Sequence, residues 1–166
     1  MHLETLMLAR LQRFMARLEA GGDSVKTAPR DELAMAAAVL LSRAAALDGG
    51  VDERERAVAA DRLVERFGVS REEIDAVMAE AAQTAEESVD LYGFTRVLKG
   101  QLDPDGRLML MEALWEVVYA DGTLHDYEAQ LMRRLAGLLF VPDRDSGEAR
   151  KRALVKLGLD APGASD

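Results

Sequence analysis

Two ten-residue stretches of the 166-residue chain hold the side chains best suited to chemistry, ALDGGVDERE ending at Glu55 and YADGTLHDYE ending at Glu128. Each sets an aspartate, Asp48 or Asp121, in a tight Asp-Gly turn and a glutamate, Glu55 or Glu128, in the first turn of the helix that follows. Folded back on the turn, the two carboxylates can converge on one point. With turn carbonyls and water they make a hard oxygen set that suits calcium or magnesium. The same residues also have a purely structural use. Asp52 and Glu55 read as a capping box, and Asp48 and Asp121 can accept turn amides while Gly49 and Gly122 supply positive φ. In the second copy the capping place falls to His125, a poor cap. With Asp121, Asp126 and Glu128 that imidazole offers a mixed nitrogen and oxygen site for zinc or manganese, and a metal-dependent hydrolase built on it is the enzymatic alternative. An EF-hand is excluded, because loop position twelve counted from Asp48 or Asp121 holds Ala59 or Met132.

Other chemistries lose their anchors. The chain has no cysteine, which removes thiolate metals, iron-sulfur clusters, disulfides and a cysteine nucleophile together. It has no Glu-x-x-His, His-Glu-x-x-His or Gly-x-Ser-x-Gly motif and no phosphate-binding glycine loop. Asp103 and Asp105 flank a proline in a turn, where capping is their natural work. Residues 1 to 30 carry five basic and three acidic groups, residues 149 to 166 four and two, and the stretch between them twelve and twenty-five. An acidic body of that kind repels phosphate backbones and excludes nucleic acid as a partner. The basic group Arg150, Lys151, Arg152 and Lys156 reads as a solvated set that favours a helix end, with an anionic partner as the alternative.

The elements that position these residues are all helical, since apolar residues recur at three and four residue spacing and β-branched residues never alternate. The patterning predicts helices over about 3–20, 31–47, 52–67, 70–85, 89–99, 107–120, 125–140 and 147–157, with a turn at 103–106. The first, amphipathic through Leu3, Met7, Leu11, Phe14 and Leu18, belongs to a segment 1–22 set apart by a linker 23–30. A helical domain follows over 31–158 and a tail over 159–166. The second helix is so rich in alanine that neighbours can approach it closely, which makes it central. Ser70 with Glu73 marks a capping box. Trp115 and Tyr119 read as core with polar tips, and the methionines as adaptable core.

A shift of 73 residues aligns Leu41 with Leu114, Asp48 with Asp121, Glu55 with Glu128 and Phe67 with Phe140. The implied unit is a helical hairpin closed by a phenylalanine, present twice, with two acidic helices between the copies. The duplicated turns, in an acidic helical domain spanning about 31–157, resemble the TerB family. That family is named for a tellurite-resistance protein and is also represented in the N-terminal part of a membrane-anchored DnaJ-type co-chaperone. The resemblance implies an all-α, pseudo-duplicated fold and a divalent cation held by Asp48, Glu55, Asp121 and Glu128. It also points to a non-catalytic accessory module in tellurite or other stress resistance, with a protein as partner. The expected setting is cytoplasmic, with the N-terminal helix available for homo-oligomer formation or for lying on a membrane surface. No stretch is long and apolar enough for a transmembrane segment.

Overall fold

The computed structural model describes residues 30–46, 53–87 and 91–159. The segment 1–22, most of the linker 23–30, nearly all of the tail 159–166, and the turn residues Asp48, Gly49, Gly50 and Asp52 lie outside them. Among the described residues there are seven helices and no strand. They are α1 (Arg30–Ala45), α2 (Glu53–Phe67), α3 (Ile74–Glu87), α4 (Tyr92–Gln101), α5 (Pro104–Val118), α6 (Asp126–Leu138) and α7 (Asp143–Lys156). None of them is long and apolar enough to cross a membrane.

Helix α1 is the hub. Every residue from Ala34 to Ser42 is buried, and α2, α3, α4 and α5 all pack on it. Four neighbours around one helix are possible because Ala36, Ala37, Ala38 and Ala44 present only methyl groups, while Leu40 and Leu41 fill the gaps between elements. The other buried helix is α5, enclosed from Leu110 to Tyr119. The amphipathic helices surround these two, with α2 turning Ala59, Leu63 and Phe67 inward and α6 turning Met132, Leu135 and Ala136 inward.

Residues 103–106 are not a free turn ahead of a helix starting at Arg107. They form the first turn of α5. The Asp103 carboxylate accepts the Gly106 N–H at 2.7 Å, and Pro104 stands at a first-turn position where its missing N–H leaves nothing unpaired. Ser70 Oγ likewise accepts the Glu73 N–H at 3.2 Å just before α3.

The duplication is larger than a hairpin. Within the first half α1 packs most extensively on α3, and within the second α5 packs most extensively on α7. The repeated unit is therefore α1–α2–α3 against α5–α6–α7, and α4 alone connects them. Across the units α2 lies on α5, whereas α4 lies on both α1 and α6.

The two phenylalanines are not equivalent. Phe67 ends α2 and is buried, and Gly68 then turns left-handed at φ 71°. After α6 the left-handed residue comes one position earlier relative to the N-terminal glutamate than it does after α2. Leu139, fully buried, takes the place of Phe67, and Phe140 occupies the left-handed position at φ 57° with 69 % of its surface exposed. The N–H of Val141 closes this end by bonding the Ala136 carbonyl at 2.9 Å. A left-handed residue with a Cβ costs roughly 1–2 kcal/mol, and the Lys99 ammonium 4.0 Å over the Phe140 ring offsets part of that. Phe140→Gly is therefore expected to raise stability by about 0.5 kcal/mol in denaturant titration. A loss of stability would show that the ring contact outweighs the backbone strain.

Candidate functional site

The second acidic turn is built by the end of α5 and the start of α6. After α5 the Gly122 N–H bonds the Tyr119 carbonyl at 2.8 Å, and Gly122 takes φ 89°, a conformation that requires glycine. Asp121 Oδ1 accepts the Thr123 N–H at 3.0 Å, and Asp121 Oδ2 lies 3.5 Å from His125 Nε2. His125, extended at φ −88° and ψ 155°, precedes α6, and its own N–H donates to Glu128 Oε1 at 2.9 Å. Glu128 is 1 % exposed, so its carboxylate reaches back along the helix end rather than out to solvent.

Asp121, His125 and Glu128 thus share one turn, as the spacing predicts, with each aspartate or glutamate turned to a backbone amide. Glu55 occupies the same helical position in α2, is 4 % exposed and is itself engaged. Asp48 lies outside the described residues. Among the described residues no three histidine, aspartate or glutamate side chains gather as a metal would require. His125 is half exposed and carries its imidazole at the surface of the turn. Glu128, at the third position of α6, accepts the N–H of the residue that precedes the helix, and Glu55 is buried at the same position of α2.

The densest electrostatic arrangement lies elsewhere. Three i,i+4 pairs meet where α2, α5 and α7 pack: Arg62 and Arg66, Glu112 and Glu116, Arg152 and Lys156. Glu112 receives Arg152 Nε at 2.6 Å and Lys156 Nζ at 2.5 Å, with Arg66 Nη2 at 3.5 Å. Burial pushes the Glu112 carboxyl up, but the hydrogen bonds from Lys156 and Arg152 outweigh it and hold it below the usual glutamate value. Glu116, one turn on, is fully buried. Arg62 Nε comes within 3.2 Å of its Oε1 without hydrogen-bond alignment, so neither carboxylate oxygen has a hydrogen bond. Desolvation raises its pKa, and the nearby Arg62, Lys156 and Arg66 only partly counter that.

Arg152 and Lys156, expected to be simply solvated, are therefore ligands of a buried carboxylate. Arg150 is also engaged, donating Nε to the Tyr119 hydroxyl at 2.9 Å with its guanidinium over the Trp115 and Tyr119 rings. The sequence did carry a signal for this network. Two glutamates four apart in the otherwise apolar run LMLMEALWEVV need partners, and two other helices offer cations at the same spacing.

These features define a class: an all-α domain in which two three-helix units, each with a buried glutamate at the third position of its middle helix, are joined across a buried ionic interface. The family model for TerB, described as tellurite resistance protein TerB, matches residues 34–151, and the chain belongs to that family. Neither curated proteins nor solved structures give a match.

Proposed function

We propose that the chain is a non-catalytic TerB-type scaffold module that acts in the cytoplasm by contact with a protein partner, in the stress setting denoted by the family name. One observation supports this above others. The acid of the second duplicated turn is committed to folding, with Asp121 holding the Thr123 amide and Glu128 the His125 amide. Both oxygens thus do structural work in the turn without any ion.

Calorimetric titration of the full chain with calcium, magnesium, zinc and manganese tests the reading. No heat is expected at millimolar metal. Glu128→Ala should lower stability by about 1–2 kcal/mol, equally with chelator and with metal, because the loss is that of a buried cap. Saturable heat that disappears in Asp121→Asn would overturn this in favour of a weak cation site at Asp48, Glu55, Asp121 and Glu128. Phosphoester or peptide hydrolysis dependent on His125 would overturn it in favour of the enzyme.

A further inference from the structure

A recess of about 240 Å³ opens between α6 and α7 beside Trp115 of α5. Trp115, Leu124 and Ala136 give it apolar lining, and the indole N–H is satisfied by Ser146 Oγ, itself on the recess wall, at 3.2 Å. Its rim carries two guanidiniums, Arg133 from α6 and Arg150 from α7, and one carboxylate, Asp143. Among the described residues neither arginine is ion-paired to a carboxylate. Arg150 is fixed instead by two aromatic faces and the Tyr119 hydroxyl, which engages its Nε, and among the described residues its terminal nitrogens have no hydrogen-bond partner. In a chain of net charge −9, two arginines against one carboxylate, Asp143, leave this concavity with a local excess of positive charge.

We propose that this recess binds a small organic monocarboxylate with a short apolar body. The carboxylate would lie against the terminal nitrogens of Arg150 and against Arg133, in the planar geometry that guanidinium favours, and the apolar body on Trp115, Leu124 and Ala136. Asp143 at the rim selects against phosphate and other multiply charged anions. Arg150 is held in position before the ligand arrives, so little side-chain entropy is lost on binding. The recess shares Leu124 with the acidic turn but uses none of that turn's carboxylates, so the proposal stands whether or not the turn takes a cation.

Trp115 is the one tryptophan of the chain, so its emission reports the recess directly. The test is a fluorescence titration of the full chain with 4-methylpentanoate, the matching alcohol 4-methylpentan-1-ol, and inorganic phosphate. The carboxylate should give a saturable change in the millimolar range or tighter, the alcohol and phosphate none. Arg133→Gln, on an exposed helix face, should weaken binding by about tenfold with an unchanged melting temperature. No saturable change with the carboxylate, an equal response to the alcohol, saturation by phosphate, or unaltered affinity in Arg133→Gln would each overturn the proposal.

Discussion

Glu112→Gln is expected to lower stability at neutral pH by about 2 kcal/mol, while Glu116→Gln, one helical turn away, is expected to raise it. The first change removes charge-assisted hydrogen bonds from Arg152 and Lys156 and weakens the contact to Arg66. Those cations are partly exposed and recover some hydration, which limits the loss. The second removes a charge that is buried without a hydrogen bond, and Arg62 keeps Glu65 as a partner at the surface.

Acid dependence separates the two glutamates further. Glu112, held below 4.5 in the folded chain, contributes stability that is present above that value and lost as pH falls through its folded pKa. Glu116, held above 4.5 by desolvation, gives up its proton at higher pH in the folded chain than in the unfolded one. Its contribution is fully present below 4.5 and lost as pH rises through the folded pKa. The gain from Glu116→Gln should therefore grow from pH 4.5 towards pH 8, and the loss from Glu112→Gln should shrink below pH 4.5. Urea titrations at several pH values measure both. A clear loss of stability in Glu116→Gln at pH 8 would show that the Arg62 contact more than balances the desolvation.

Ala37→Leu is expected to cost about 3 kcal/mol or more, the upper range for overpacking, although leucine is the better apolar residue by transfer. Ala37 is fully buried in a helix surrounded by four others, so a larger side chain has no open side to turn towards. Leu41→Ala, on the same helix, should cost a similar ~3–5 kcal/mol through the cavity it leaves. If Ala37→Leu unfolded at the parent midpoint, the close approach of neighbours to α1 would not be what sets the packing.

The alanine run made the central place of α1 legible beforehand, because only small side chains let several helices crowd one axis. The helical period, the Asp-Gly turn and the paired glutamates were legible for similarly local reasons. The extent of the repeat was not. Helix α3 and helix α7 share little sequence pattern, and their equivalence lies in what they pack against. The start of α5 was misplaced because proline and glycine in 103–106 read as a turn, whereas a capped first helical turn accepts both. At the acidic turn the positions were legible but the partners were not. An aspartate beside a glycine can face an ion or an amide, and only the backbone path decides which. The Glu112 and Glu116 network escaped for the opposite reason. Each pair is visible alone, yet its meaning depends on three helices that lie far apart in the chain.

The placement of α4 has a consequence for symmetry. If the two units were related by a true twofold, the contact of α2 with α5 would be mirrored by one of α6 with α1. Among the described residues no comparable contact is made, and α4 sits against both of the helices that would have made it. The connector is a wedge that occupies one of two pseudo-equivalent seams. In the 73-residue register the positions matching Glu112 and Glu116 hold Val39 and Arg43 of α1, and those matching Arg62 and Arg66 hold Leu135 of α6 and Leu139 just past its end. The acid–base ladder therefore belongs to the unwedged seam alone. The two seams thus close by different means, one on the wedge of α4 and the other on buried charge.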